Sequence, residues 1–192
     1  PTFSSSIMHG HYLNPWGMSN TVVVWRDGRD VMVSLYHHCL FEFSEGEREN
    51  AHLVKRARDE VGFKDYENVA ENLPEFIEYA FTRLCYPRFT WADFARRWHG
   101  RESCIHARYE EILADAPGQL CRIAEELTGT PLALDEARRI DGELSFARQS
   151  GRQPGQECKT SFMRKGIAGD WRNCFNRAAC EIFDRHAGDE LV

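Results

Sequence analysis

Two short segments, far apart in the chain, carry the cations that would be needed to bind an anion. The first, RDGRD, begins at Arg26, directly after the apolar run TVVVW, and Ser34 follows it. An arginine fork and a hydroxyl near a helix N-terminus can together hold a phosphate dianion. The second, RKG at residues 164–166, places two cations beside a glycine whose backbone can approach a phosphate closely.

Each segment also has an ordinary interpretation. Asp27 and Asp30 can pair with the arginines in a solvated turn or cap the following helix. Arg164 and Lys165 can likewise form a solvated basic turn. For the first segment alone, the salt-bridge turn is the simpler interpretation. Two such segments in a chain of net charge −6 favour an anion site, because a local cation cluster can oppose the overall field.

The composition limits the class of protein. The 192 residues, 42% hydrophobic and 28% charged, fit one globular domain. The net charge of −6 argues against a nucleic-acid binder, and no apolar run is long enough to span a membrane. The seven cysteines lack zinc-type spacing, which predicts reduced, mostly buried thiols in a cytoplasmic protein without a metal site. Arginine outnumbers lysine, which favours a GC-rich bacterial source.

Strands separated by helices must position the two segments. TVVVW at 21–25 predicts a buried parallel strand, a helix follows from Asp30, and residues 103–109 predict another strand. Further helices are predicted over LPEFIEYAFTRL and from Trp91 to Trp98. EEILADAPGQLCRIAEELTG predicts a turn and then a helix that ends at Gly129, and two more helices are predicted over LDEARRIDGELSFARQ and RAACEIFDRHAGDEL. The charged stretch 44–68 predicts only weak helix with exposed ends. This order predicts an α/β fold with a central parallel sheet flanked by helices, and ligands of such sheets bind at the carboxyl ends of strands.

The two segments together resemble motifs of a known family. RDGRDVMVS, followed much later by FMRKGIAGDWRNCF, resembles the soluble, cytosolic-type sulfotransferases that use PAPS, 3′-phosphoadenosine 5′-phosphosulfate. In that family R-D-x-x-D-x-x-x-S binds the nucleotide 3′-phosphate, and R-K-G-x-x-G-D-W-K-N-x-F closes over the same phosphate. Both motifs stand here in order, with Arg172 in place of the usual lysine. The resemblance implies a single sulfotransferase domain over residues 1–192 with a P-loop-NTPase-like fold.

The resemblance assigns roles to individual residues, with PAPS as the cofactor and no metal. The 3′-phosphate ligands correspond to Arg26, Ser34, Arg164, Lys165 and Gly166. Tyr109 falls on a tyrosine that contacts the adenine ring, and Phe146 falls on the aromatic residue that stacks on it. For both aromatic residues, simple core packing is an equally fair interpretation.

The catalytic base is expected near the beginning of the chain. Family members carry a histidine in a K-x-H segment shortly before the first motif, and IMHGHYL places His11 at the histidine and His9 at the lysine. A histidine suits the role because its pKa lies near the working pH. It would remove the proton of the acceptor hydroxyl as the oxygen attacks sulfur in line. The alternative is a pair of loop histidines without a catalytic role.

Two features depart from the family pattern. The phosphate loop P-K-S-G-T-T-W, which cradles the 5′-phosphosulfate and whose lysine stabilises the charge on the bridging oxygen, has no match in these residues. We expect that loop and its strand upstream of the residues given. The family's dimer motif, K-x-x-x-T-V-x-x-x-E, is altered in RNCFNRAACE, where Asn176 and Arg177 replace threonine and valine. The motif therefore predicts no particular oligomeric state.

The acceptor is the last inference from the resemblance. Residues just past the serine line the family's acceptor pocket, and LYHHC places Tyr36, His37 and His38 in that neighbourhood, of which Tyr36 and His38 are assigned to the pocket. His38 predicts a pocket more polar than one for steroids or simple phenols. A surface histidine without contact to the acceptor is an equally fair interpretation. The predicted function is sulfuryl transfer from PAPS to a hydroxyl or amine of a small-molecule, glycan or lipid acceptor. One alternative is a module that binds PAP, the desulfated product, without transfer. The other is a nucleotide kinase, which would need the loop G-x-x-x-x-G-K-[ST] that this chain lacks.

Overall fold

Two parallel strands and the helices between them form the first half of the fold. The structure is a computed structural model that describes residues 10–13, 20–44, 50–84 and 88–191. Strand β1 (Thr21–Trp25) pairs in parallel with β2 (Cys104–Arg108), with Val23 opposite His106. The described part of the connection between them contains four helices: α1 (Gly28–Leu40), α2 (Ala51–Val61), α3 (Val69–Thr82) and α4 (Trp91–Trp98). The predicted α/β arrangement with parallel strands is confirmed, and both strands end at the same edge of the sheet.

The second half is helical. The helices after β2 are α5 (Tyr109–Ala114), α6 (Ala116–Thr128), α7 (Leu134–Leu144), α8 (Phe146–Ser150), α9 (Trp171–Cys174) and α10 (Arg177–Ala187), followed by a 3-10 turn at Gly188–Glu190. The helix predicted over residues 134–149 is interrupted at Ser145, whose side chain caps α8 by accepting from the Arg148 amide. Gly129 ends α6 in the left-handed conformation, as predicted.

Helix α1 lies at the centre of the hydrophobic core. Its buried residues Met32, Val33, Tyr36 and Leu40 recur at helical spacing and pack in one cluster with residues of α2, α3 and α10. The charged segment that contains α2 contributes more than the weak helix predicted, because Leu53, Val54, Ala57 and Val61 are all buried. These four apolar residues form one narrow stripe, and the charged residues of α2 cover the rest of its surface.

Helix α3 and helix α10 are joined by a polar contact. Pro74 lies inside α3 and has no amide hydrogen for the carbonyl of Ala70, one turn earlier. The side-chain amide of Asn176 donates to that carbonyl at 2.7 Å, and its oxygen caps α10 by accepting from the Ala179 amide. Asn176, one of the two departures from the dimer motif, thus has a structural role within the chain.

The cysteines and the helix lengths bear on the class of protein. Six cysteines belong to the described residues and all are free thiols; only Cys39 is buried and the other five are half-buried. The expectation that most would be buried is therefore wrong for these six, because Cys39 alone belongs to the buried core and the other five lie around it on a strand, helices and a loop. Among the helices of the described ranges, none is both long and apolar enough to cross a membrane.

Candidate functional site

A cavity of about 590 Å³ lies at the carboxyl end of β1, beside the first turns of α1. Its walls also include α4, the beginnings of α5 and α8, and the segment 161–167. Nine of the eleven residues predicted from the sequence line it: His11, Arg26, Ser34, His38, Tyr109, Phe146, Arg164, Lys165 and Gly166. The fold therefore brings together residues that lie up to 155 positions apart, from His11 to Gly166.

The turn between β1 and α1 separates two arginines with different partners. Asp27 pairs with Arg29 at 2.7 Å and caps α1 by accepting from the Arg29 amide at 2.9 Å. Arg26 instead lies over the ring of Tyr109, with its guanidinium carbon 4.6 Å from the ring centroid. The Nε of Arg26 is buried and has no hydrogen-bond partner among the described residues. The salt-bridge turn considered from the sequence is therefore present, but it does not include Arg26.

A buried carboxylate holds the two cations of the second segment. Arg164 Nη2 and Lys165 Nζ donate to the two oxygens of Asp170 at 2.6 and 2.7 Å, and Glu157 also pairs with Arg164. Burial raises the pKa of Asp170, but the hydrogen bonds from Lys165, Arg164 and Asn173 outweigh it and bring the pKa to about 2. Asp170 is therefore ionised at neutral pH and fixes the direction of both cations.

Asp30 joins the two segments to each other. Its carboxylate is buried and accepts from the backbone amides of Gly169, at 2.6 Å, and Trp171, at 2.8 Å. The sequence predicted that Asp30 would cap α1 or orient an arginine. The structure corrects this: the side chain points to the second segment, since the loop at 169–171 packs against the first turn of α1.

Gly166 brings the backbone of the second segment against an aromatic ring. Its φ of 66° lies in the left-handed region, and a Cβ built there would be 2.4 Å from ring atoms of Phe146. Only glycine permits both the backbone conformation and this approach. The two residues predicted to contact adenine and phosphate are therefore direct neighbours.

The cavity carries positive charge in an acidic chain. Its charged lining residues are Arg26, Arg164 and Lys165, and within the described part of the chain no carboxylate lines it. Asp170 and Glu157, which pair with the two cations of the second segment, lie outside the lining. Three cations therefore face one cavity, and the carboxylates that pair with Arg164 and Lys165 lie outside its lining.

Aromatic and aliphatic side chains form another part of the lining. The ring of His38 lies 5.3 Å from that of Phe43, which in turn lies 5.9 Å from the ring of Phe162. Further apolar lining residues are Val31, Leu35, Phe89, Phe94, Met163 and Ile167. His38 is thus one member of an aromatic cluster, and this part of the cavity is less polar than the sequence predicted. Charged residues and an apolar wall in one cavity suit a ligand with an anionic group and an apolar partner beside it.

The comparison with protein families shows to which family the chain belongs. A family model described as "Sulfotransferase domain" matches residues 18–191 of this chain. The chain belongs to the sulfotransferase domain family. Among the curated proteins, Sulfotransferase 2B1 of Rattus norvegicus is 26% identical over 182 residues, which are 87% of this chain and 46% of the relative. Sulfotransferase 1E1 of the same species is 26% identical over 178 residues, with 86% and 52% covered. The chain spans about half the length of these curated relatives.

Solved structures show the same fold. The sulfotransferase domain resembles mouse sulfotransferase SULT7A1 complexed with PAP, with a TM-score of 0.60, 20% identity, and 88% of this chain and 57% of that chain covered. It also resembles retinol dehydratase in complex with androsterone and the inactive cofactor PAP, with a TM-score of 0.54, 22% identity, and 88% and 46% covered. The predicted sulfotransferase fold is thereby confirmed.

One predicted residue that the structure describes is not part of the cavity of this sulfotransferase domain. Tyr36 is fully buried in the core, where its hydroxyl donates to the Tyr66 carbonyl at 2.9 Å and accepts from the side chain of Asn72. Its assignment to the acceptor pocket is corrected, because one position along α1 turns a side chain from the cavity to the core. His9 lies outside the described residues.

A second histidine of the segment LYHHC, to which the sequence analysis gave no role in the site, also lies in the cavity of the sulfotransferase domain. His37 lines the cavity, is almost fully buried, and has an Nδ1 without a hydrogen-bond partner among the described residues. Burial, and after it the charges of Arg164 and Lys159, lower the pKa of His37 to about 3, so the ring is neutral at physiological pH. Its position three residues after Ser34, on the same face of α1, is the signal that could have identified it.

Proposed function

We propose that this chain binds PAPS and transfers its sulfuryl group to a hydroxyl, or an amine, of a small acceptor molecule. One observation carries the proposal: in a chain of net charge −6, three cations line a cavity in which the described residues place no carboxylate. Such a cluster suits a phosphate dianion, because charge-assisted hydrogen bonds to arginine and lysine are strong and oriented. Membership of the sulfotransferase domain family supports a nucleotide of this kind as the ligand.

The lining residues offer a binding group for both the phosphate and the adenine of the nucleotide. Arg26, Ser34, Arg164, Lys165 and the backbone at Gly166 would hold the 3′-phosphate, and the unpartnered Nε of Arg26 gains an acceptor there. Tyr109 and Phe146 would enclose the adenine, since both rings line the same cavity beside the cations. Bound PAPS supplies the activated sulfuryl group. The residues of this chain orient it and exclude water.

His11 is proposed as the general base. It lines the cavity that holds the cations and the apolar wall, so it can reach an acceptor hydroxyl placed between them. His11→Asn is expected to lower the transfer rate by about 100-fold or more while PAP affinity stays within about twofold. His9→Asn is the comparison variant. If it alone abolishes transfer, His9 is the base and the assignment of His11 is wrong.

The acceptor class follows from the apolar wall. Phe43, Phe162 and the ring of His38 offer flat apolar surface, and charged residues near them are confined to the phosphate end. We expect an alcohol or phenol on an apolar skeleton to be preferred over a glycan, whose many hydroxyls would be left unpaired against this wall. A panel of both kinds, assayed with labelled PAPS, tests the preference.

Calorimetric titration of PAP is the first experiment. AMP, which lacks the 3′-phosphate, is the comparison ligand. Arg26→Ala and Lys165→Ala should each weaken PAP binding more than about tenfold, or about 1.4 kcal/mol. Arg138→Ala and Lys55→Ala remove exposed cations of α7 and α2 and should leave PAP binding unchanged. Folded protein that binds PAP no better than AMP would overturn the proposal.

A second candidate is a module that binds PAP without transfer. Binding that depends on the 3′-phosphate, combined with no transfer to any acceptor of the panel, would support this candidate over the enzyme.

A further inference from the structure

Arg152 makes an unusual number of contacts for a loop residue. Its Nη1 donates to the carbonyl oxygens of Gln156, at 2.7 Å, and Arg164, at 2.8 Å. Its Nη2 donates to the carbonyl of Met163, at 2.5 Å, and to Oγ of Ser161, at 3.2 Å. One guanidinium therefore has four acceptors, and three of them belong to the segment that leads into Lys165.

Backbone hydrogen bonds extend the same connection. The Gly155 amide donates to the carbonyl of Lys165 at 2.8 Å, and the Cys158 amide donates to that of Arg164 at 2.9 Å. The loop after α8 is thus paired with the cationic segment along its length. Arg152 lies at the beginning of this loop and binds the carbonyl of Arg164 together with Cys158.

The guanidinium of Arg152 also contacts the aromatic residue on the adenine side. Its central carbon lies 5.3 Å from the ring centroid of Phe146. Phe146 packs in turn on the backbone of Gly166, which follows Lys165. Arg152, Phe146 and the segment 164–166 therefore form a closed ring of contacts beside the cavity, and Arg152 is not among the residues that line it.

We propose that Arg152 is a positioning residue that sets the spacing between the adenine contact, Phe146, and the phosphate contacts, Arg164 and Lys165. The inference rests on the proposed nucleotide site. A rigid spacing between the adenine contact and the phosphate contacts strengthens the binding of a ligand that carries both an adenine and a 3′-phosphate, because neither contact has to be rearranged when the ligand binds. A lysine cannot replace Arg152, since an ammonium group lacks the planar fork that reaches four acceptors.

The test compares PAP with AMP in an Arg152→Lys variant. We expect PAP affinity to fall more than about tenfold and AMP affinity to change less than about threefold, so that discrimination between the two ligands is lost. Arg148→Lys, which changes an exposed arginine of α8, is the matched control and should retain wild-type affinities. A role confined to stability would lower the melting temperature but leave the ratio of the two affinities unchanged at a temperature where the variant is folded. That result would overturn the proposal.

A measurement on the wild-type protein covers the case in which Arg152→Lys does not fold. Hydrogen exchange of the Gly155 and Cys158 amides should slow when PAP binds and should change little with AMP, because only PAP engages the segment that these amides hold. Equal exchange with both ligands would overturn the inference about Arg152 even if PAP binds well. Failure of the wild-type protein to bind PAP at all would instead refute the proposed function, and this inference with it.

Discussion

The carboxylate of Asp30 accepts a hydrogen bond from the backbone amide of Gly169 at 2.6 Å, across 139 positions of sequence. Its second oxygen accepts from the Trp171 amide. Asp30 belongs to the first cationic segment and Gly169 to the second, so one buried carboxylate holds the two halves of the proposed phosphate site together. The position of Arg164 and Lys165 relative to Arg26 depends on this contact.

Asp30→Asn should destabilise the protein and weaken PAP binding. An amide keeps one acceptor oxygen but turns its NH₂ group towards the other backbone amide, which is then buried without a partner. We expect the free energy of unfolding to fall by about 2–3 kcal/mol, measured by urea denaturation. Asp135→Asn, at a side chain that is 95% exposed on α7, should change it by less than about 0.5 kcal/mol. Equal effects of the two substitutions would contradict the role given to Asp30.

Asp170→Asn should remove a pH-dependent contribution to stability. With a pKa of about 2 in the folded protein against an ordinary value of 3.8, the Asp170 carboxylate stabilises the fold fully above pH 3.8. That contribution is lost as the pH falls from 3.8 towards 2. The free energy of unfolding should be about 2 kcal/mol lower in the variant than in the wild-type protein at pH 7. At pH 3 this difference should be smaller by about 1 kcal/mol. A difference that stays constant between these two pH values would show that Asp170 does not titrate in this way.

His37→Gln should flatten the dependence of stability on pH. Burial lowers the pKa of His37 from 6.5 to about 3. Between these two pH values the His37 side chain is therefore protonated in the unfolded chain and neutral in the folded protein. The contribution of His37 to the free energy of unfolding is therefore fully present above pH 6.5, and it decreases as the pH falls towards 3. Between pH 7 and pH 5 the wild-type protein should lose about 2 kcal/mol more than the variant.

The matched control for His37 is His52→Gln, on the exposed side of α2. This variant should keep the wild-type dependence on pH, measured by urea denaturation at both values. If His52→Gln and His37→Gln behave alike, a neutral buried His37 is not the cause of the acid sensitivity.

Gly166→Ala should impair nucleotide binding more than it impairs folding. The left-handed backbone costs alanine about 1 kcal/mol, and the added methyl group would also displace the ring of Phe146. Gly129→Ala has the same backbone requirement, with a φ of 69°, but no atom lies within 4 Å of its Cβ position. Calorimetry should show PAP affinity reduced more than about tenfold in Gly166→Ala only. The free energy of unfolding should fall by about 1 kcal/mol in Gly129→Ala and by at least that amount in Gly166→Ala.

Much of the site could be predicted from short sequence patterns. Arg26 follows a run of β-branched residues, and the carboxyl end of a parallel strand is where such a fold binds ligands. Arg164, Lys165 and Gly166 stand together in one motif. The role of Tyr36 could not be predicted in this way, because the resemblance extended the acceptor pocket along α1 without regard to which side of the helix faces the core. The helix α2 was underestimated for a related reason: its apolar stripe is narrow and its charges are many.

The sequence by itself determined which chemistry is possible: cations at a strand end, a glycine beside two further cations, and aromatic residues near the ends of a strand and a helix. These are local properties, since a residue type and its neighbours in the chain set its charge, its backbone freedom and its helical phase. Only the tertiary structure decided which charges are available to a ligand. In the folded protein Asp27 pairs with Arg29, and the guanidinium of Arg26 lies over the ring of Tyr109. Asp170 pairs with Lys165 from outside the cavity lining. Pairing depends on distances in space between elements, and such distances arise only when the strands and helices pack.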